Sequence, residues 1–347
     1  MLHTRRSALR LGAAVLASSA FSSLSRAENA IVATTYPGSF DEAFKTIVGP
    51  AFAKRTGGIV TFSPLLNVDQ IGKIQASRNN PPFDVALFDE GPLINAIKAD
   101  ILEKFPAAES KNFADIPDAF RHPDGYAPVI TCQLAGIAYN PTKIATPPTS
   151  WSDLWKPEYA GRVGITGMTS SLGTAFMVEV AKMNGGSETN IEPAFQAIKE
   201  LLPRVGAIAP SPGALAALFQ QGQIDIAFNY WNNVALLHSK GVDVAFARPK
   251  SGAVVIRTSA QIVKNNQAPK LAFQYLDTVM DLDVQKQLEA TPWVMMPTNR
   301  KVALTEPNLT VANGVEEMIA ANVLLDWTKF QPLRHDWIDR FNKEVKI

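Results

Sequence analysis

The chain of 347 residues has one cysteine, Cys132, and only four histidines. A single cysteine cannot close an internal disulfide, so stability must come from a buried core. A 46% hydrophobic composition at this length makes such a core feasible. The histidines, His3, His122, His238 and His335, show no metal-ligand spacing. Charge of one sign is not in excess: 33 Lys and Arg against 32 Asp and Glu leave a formal net charge of +1. Electrostatic binding of nucleic acid needs a basic excess or stripe, and the sequence has neither. Blocks of like charge, low-complexity tracts and repeats of solenoid or propeller period are missing too. So are a G-x-S-x-G elbow, a phosphate-binding P-loop and an H-E-x-x-H pair.

What is present begins at the N-terminus. Arg5, Arg6 and Arg10 precede an uncharged stretch from Leu11 to Leu24, and "SRA" (25–27) follows. Charged, apolar and small-residue segments in that order form a signal peptide over 1–27, with cleavage after Ala27. The apolar stretch is shorter than the ~20 residues that span a bilayer. "TRRSALR" (4–10) resembles a twin-arginine export signal. An ordinary secretory signal that holds two arginines fits the same residues. Either route predicts a periplasmic location.

Beyond it, strands and helices alternate. "AIVATTY", "IVTFSPL" and "FDVALFDEG" are apolar, β-branched runs. Between and after them, 39–57, 67–77 and "PLINAIKADIL" carry apolar residues at helical spacing, with Pro50 kinking or splitting the first. The βαβαβα order predicts a parallel sheet covered by helices. "YAPVITCQLAGIAYNP" (126–141) breaks the alternation and is long enough to pass into a second lobe. A second βα series follows, and "SGAVVIRTSAQIVK" (251–264) is the return crossing. The stretch 268–290 reads as one long amphipathic helix, and the tail as further helix broken by Pro332. The expected architecture is α/β: two doubly wound lobes joined by two crossing strands. Residues 28–131 and 250–347 form the first lobe and 132–249 the second.

Early in the second lobe, "PPTSWSDLWKPEYAGRVGIT" (147–166) holds two tryptophans four positions apart. Ser150 with Asp153 predicts a capping box. Trp151 and Trp155 then share one helix face, and core packing is expected of them rather than ligand contact.

"GIAYNPTKI…PPTSWSDLWKPEYAGRVGIT", "ALAALFQQGQIDIAFNYWNN" and "TSAQIVKNNQAPKLAFQYLDTVMDLDVQKQLEA" resemble bacterial extracellular solute-binding proteins of ABC importers, in the spermidine/putrescine, iron and thiamine branch. The likeness runs over essentially the whole mature chain. It implies the type II periplasmic-binding-protein fold. It also implies a small-molecule solute, a membrane permease with its ATPase as partners, a monomer, and no cofactor or catalytic residue.

In such a fold the ligand sits between loops at strand ends of both lobes. The first lobe offers Tyr36, Ser39, Asp89 and Glu90, and the second offers Ser170, Ser171, Ser211, Tyr230 and Trp231 followed by Asn232; Trp293 lies in "TPWVMMP". Ser170, Ser171 and Ser211 precede helices, where free N–H groups favour an anion, though simple capping explains each equally well. Tyr36, Phe88, Tyr230, Trp231 and Trp293 suit a cation, worth ~0.5–2 kcal/mol per aromatic contact, with Asp89 or Glu90 as counter-charge. Iron-binding relatives use two adjacent tyrosines, and Trp231 stands at the second place here. That disfavours ferric iron and leaves a metal-free site. Two acidic residues are few for a long polyamine. A small amine-bearing solute, polyamine-like or amino-acid-like, is therefore expected. Ferric iron or a small anion such as a phosphonate is the alternative ligand. Thiaminase-like enzymes share the fold and use a cysteine, so Cys132 is the one enzymatic candidate, although "VITCQLAG" supplies no activating partner.

Overall fold

The computed structural model describes residues 29–346. The expected signal peptide lies outside them. The first lobe opens with β1 (Ala30–Thr35), α1 (Ser39–Ala43) and α2 (Gly49–Thr56). A π-helical turn over Phe44–Val48 joins the two helices just before Pro50, which lacks the N–H to continue a regular helix. Then come β2 (Ile59–Pro64), α3 (Asn67–Ala76), β3 (Val85–Asp89) and α4 (Glu90–Lys98). Strand β4 (Val129–Tyr139) crosses to the second lobe.

That lobe holds β5 (Val163–Thr166), α5 (Ser171–Met183), α6 (Glu192–Leu201), β6 (Val205–Ala209) and α7 (Pro212–Gln220), then β7 (Ile226–Tyr230), α8 (Trp231–Ser239) and β8 (Ala245–Ala247). Strand β9 (Val254–Ile262) returns. Helices α9 (Pro269–Val279) and α10 (Leu282–Glu289) occupy the stretch expected as one helix. Asp281 splits them, because its carboxylate accepts from the N–H groups of Asp283 and Val284 and starts a new helix. The tail forms α11 (Val315–Ala320), β10 (Val323–Leu324), α12 (Trp327–Phe330) and α13 (Arg334–Glu344). The short strand β10 was not expected from the sequence.

Strand order is β2-β1-β3-β9-β4-β7-β5-β6, with β8 on β4 and β10 on β9. Pairs within each lobe (β1 with β2 and β3, β5 with β6 and β7) are parallel, while β4 and β9 run antiparallel to each other and to their flanking strands. The two crossing strands thus fuse two doubly wound sheets into one. Strands β3, β5 and β7 are buried along their whole length, as strands covered by helices on both faces must be. Each lobe accordingly has a core on either side of its sheet. Phe44, Phe52 and Tyr275 anchor one face of the first lobe, and Phe83, Phe88 and Leu93 the other.

Trp151 and Trp155 belong to the second lobe's main core. Ser150 and Asp153 form the capping box that starts their helical turn. Trp151 meets Phe176 edge-on at 5.9 Å, Trp155 stacks on it at 6.2 Å, and Phe176 stacks on Phe228 at 3.8 Å. The tail departs from its expected place. Trp337, Phe341 and Val345 pack into the second lobe's core, not the first's. Arg340 pairs with Glu192 on α6. The chain therefore crosses between lobes a third time, after β10. The apolar face of α13 has its partner surface on α5 and α6, and the division at residue 250 could not anticipate this.

Candidate functional site

The lobes meet across a narrow cleft. Gly38, at φ 100, stands against Gly213, and a Cβ on Gly213 would lie 2.6 Å from the Pro37 carbonyl oxygen. Ser39 Oγ donates to Asn233 Oδ1 and accepts from Asn232 Nδ2 at 2.9 Å, tying α1 of one lobe to α8 of the other. Lys240 pairs with Glu42 at 3.2 Å nearby. The cavity behind these contacts, partly open to solvent, measures about 30 Å³, room for roughly two waters.

Asp89 heads the first lobe's wall. It ends β3, is 2% exposed, and its Oδ1 accepts from Tyr36 Oη and Thr258 Oγ1, each at 2.8 Å. Asn67 Nδ2 donates to Asp89 Oδ2 at 3.2 Å, while Asn67 Oδ1 accepts from the Asp89 N–H. Gln133, on crossing strand β4, donates to Thr258 on crossing strand β9 at 3.1 Å. The carboxylate is thus gripped by the first lobe and by the hinge together. Burial pushes Asp89 above its ordinary value, opposed by Ser171 and by the hydrogen bonds of Thr258, Tyr36 and Asn67. Burial, and then the charge of Asp89, hold the Tyr36 and Tyr230 phenols well above their ordinary range, so both are neutral donors. Among the described residues no cluster of three or more His, Cys, Asp or Glu is placed to hold a metal.

The second lobe's wall starts at the N-terminus of α5. Ser170 caps that helix through the Gly173 N–H at 3.0 Å. Gly173 is required there, because a Cβ would stand 2.2 Å from the Gly167 oxygen. Ser171 lines the cavity at 2% exposure, and its hydroxyl, which has no other partner among the described residues, acts as a hydrogen-bond donor towards Asp89. Asn232 Oδ1 is buried and has no partner among the described residues. Behind the loop lies Arg334 from α13, 2% exposed. It donates to Thr174 Oγ1 and to the carbonyls of Met168 and Thr169, each at 2.9 Å.

Of the residues singled out from the sequence, the cavity brings together Tyr36, Ser39, Asp89, Ser170, Ser171 and Tyr230. Ser211 caps α7 through the Ala214 N–H instead, and its neighbour Pro212 lines the cavity. Glu90 turns the other way, onto Arg257, in a separate groove of about 530 Å³. Trp231 also turns away, donating to Asn308 at 2.9 Å and packing on Phe246 in another groove of about 630 Å³. Asp89 and Tyr230 end their strands facing inward, while Glu90 and Trp231 open α4 and α8 and point away from the cavity. Phe88 is core, and Trp293 packs against the first lobe's core. Cys132 is buried beside Met296, and burial pushes its thiol up to about 12, which favours the protonated form.

The residues missed were Asn67, Gln133, Asn233 and Arg334. Asn67 follows β2, a strand-end loop of the same kind as those after β1 and β3, so that signal was available. Nothing local marks Gln133 or Arg334.

A spermidine/putrescine-binding periplasmic protein of Escherichia coli is 25% identical over 257 residues, spanning 69% of this chain and 70% of its own. The solved periplasmic binding protein P5PA superposes with a TM-score of 0.76 at 21% identity, over 92% of this chain and 100% of that one. The periplasmic binding protein AfuA of Actinobacillus pleuropneumoniae, with fructose-6-phosphate bound, gives 0.75 at 18% identity, over 92% and 99%. The architecture is therefore the two-lobed type II periplasmic-binding-protein fold. Residues 80–335 match the family described as bacterial extracellular solute-binding protein, and to that family this chain belongs.

Proposed function

We propose that the chain is the periplasmic receptor of an ABC importer. It captures a small, amine-bearing polar solute between its lobes and passes it unaltered to a membrane permease driven by a separate ATPase. The observation that carries the ligand class is Asp89, a buried carboxylate at the cavity's head between Tyr36 and Tyr230. An ammonium there finds its counter-charge in Asp89, which has no lysine or arginine within ion-pair distance among the described residues, plus aromatic faces worth ~0.5–2 kcal/mol each. The relatives named for spermidine and putrescine support an amine. The cavity must widen to admit any solute, and a compact one demands less widening than a long polyamine. Hinge rotation about β4 and β9 would admit the solute, and the closed state is favoured because only there do both walls touch it. Transport without chemistry is supported by the unreactive Cys132. The N-terminal residues support export, with "TRRSALR" favouring the twin-arginine route.

A thermal-shift screen of the mature chain against amines, amino acids, phosphonates, thiamine and ferric salts tests this. A ligand at 1,000 times its Kd stabilises by about 4 kcal/mol. Stabilisation by anions or iron and by no amine would overturn the ligand class.

A further inference from the structure

The groove beside Trp231, of about 630 Å³, plays no part in the cleft. Its volume lies within the ~300–1,000 Å³ of small-molecule sites. One wall comes from α8 and β8 of the second lobe, the other from residues 291–311 of the first. Trp231, Val234, Phe246, Pro292 and Val294 give it an apolar lining. Trp231 and Phe246 meet edge-on at 5.4 Å. Phe246 lies over Gly136 of crossing strand β4, where a Cβ would stand 2.4 Å from its Cζ.

The lining is held from behind. The Glu289 carboxylate, buried at 1% exposure, accepts from the Thr305 N–H at 2.6 Å, the Thr305 hydroxyl at 2.9 Å and Asn308 Nδ2 at 3.2 Å. Asn308 is fully buried, and its Oδ1 accepts from Trp231 Nε1 at 2.9 Å. A satisfied buried relay thus runs from the first lobe to Trp231 and fixes the indole across the lobe boundary. Val294, also 1% exposed, keeps a left-handed backbone at φ 45, which a β-branched residue adopts only where its surroundings impose it. Rigid walls locked by a second layer of hydrogen bonds are what a preorganised ligand site requires.

The polar rim of this groove is basic. Arg248 and His238 line it, both exposed, and neither side chain has a hydrogen-bond or ion-pair partner among the described residues. No Asp or Glu lines it; Asp243 and Glu306, next in sequence to the lining residues Val244 and Pro307, are exposed and outside the lining. Apolar walls beside an unpaired guanidinium suit an anion with an apolar body. The body would pack on Trp231 and Phe246, and the Arg248 fork would donate to a carboxylate. We infer that this groove is a second ligand site, for a compact apolar carboxylate, distinct from the cleft. Both lobes wall it, so an occupant favours their closed arrangement. The site does not depend on which solute the cleft takes.

Calorimetric titration of the full mature chain with 4-phenylbutanoate, 4-phenylbutan-1-ol and butanoate tests head and body separately. 4-Phenylbutanoate should bind about fivefold more tightly than the alcohol, the upper worth of a solvent-exposed ion pair. It should bind at least about tenfold more tightly than butanoate, which has no ring to bury. Arg248→Gln should make the phenyl acid and the alcohol equal without lowering the melting point of the unliganded chain. Ala235→Trp, which fills the groove from α8, should abolish binding of both. Binding that survives Ala235→Trp lies elsewhere and overturns the site, as does an alcohol or butanoate that binds as tightly as the phenyl acid. Binding of no probe at millimolar concentration also overturns it and leaves the groove to a partner protein. Should Ala235→Trp fail to fold, Arg248→Gln decides alone: an unchanged ratio of acid to alcohol overturns the site.

Discussion

Gly213→Ala should block closure while leaving each lobe intact. Gly213 has ordinary backbone geometry at the start of α7, so alanine introduces no strain in its own lobe. Its Cβ would instead project across the cleft, 2.6 Å from the Pro37 oxygen and 3.0 Å from the Gly38 Cα. That is about 1 Å inside the usual contact of about 3.5 Å. Both obstructing atoms are backbone and cannot rotate aside, so the lobes must part. The hydrogen bonds from Ser39 to Asn232 and Asn233 lie next to the clash and lengthen with it. Overpacking costs ~1–3 kcal/mol and each lost hydrogen bond ~0.5–1.5 kcal/mol. With both hydrogen bonds lost, ~2–6 kcal/mol lowers the closed-to-open ratio, and with it the apparent affinity, by about 30-fold at least and up to about 25,000-fold.

Calorimetry with a solute found by thermal screening reads the affinity, and small-angle X-ray scattering at saturation reads closure. The unliganded chain should melt no lower than wild type, because alanine is favoured over glycine in a helix by up to ~1 kcal/mol. Gly38→Ala is the informative contrast. At φ 100 it is strained in open and closed states alike and should lower the unliganded melting point too. If Gly213→Ala bound within threefold of wild type and still closed, the interlobe contact would not limit closure.

Three further outcomes follow from the same geometry. Burial raises Asp89, so the folded chain holds this proton more tightly than the unfolded chain does; stability should fall as pH rises from the ordinary carboxyl value through the raised one, then level. Asp89→Asn should flatten that limb of a melting-point-against-pH curve and abolish binding of amines, and an unchanged slope would refute the assignment. Cys132, with its thiol pushed up to about 12, should resist a disulfide reagent at pH 8 in the native state and react fully in denaturant; rapid native labelling would contradict it. Trp151→Ala should cost ~3–5 kcal/mol of stability without altering affinity. Trp151→Phe should cost less, because it also removes a buried indole N–H that has no partner. Weakened binding at unchanged stability would instead return Trp151 to the site.

The two lobes were legible because periodicity is a local property. The alternation of apolar runs up to Asp89 and the unbroken β-rich stretch around Cys132 follow from residues close in sequence. Trp151 and Trp155 could be assigned to a core because a capping box and a four-residue spacing fix their common face. The site was legible only in part, for a geometric reason. Loops at strand ends identify a neighbourhood, while the residue that faces inward depends on where the strand ends and the helix opens. Asp89 with Glu90, and Tyr230 with Trp231, were therefore nominated as pairs where only one of each faces the cleft.

Arg334 marks the harder boundary. In the sequence it is one arginine in a polar helix near the chain's end, 160 positions from the Thr174 it contacts. Its meaning depends on the third crossing, which follows a two-residue strand that no pattern announces. Once that crossing is known, chemistry limits its role. A guanidinium at 2% exposure with no carboxylate in contact among the described residues is balanced from farther off. The field of Asp89 supplies part of that balance from across the cavity. The preference of one cavity for one solute is then set jointly by the first lobe, the hinge and the tail.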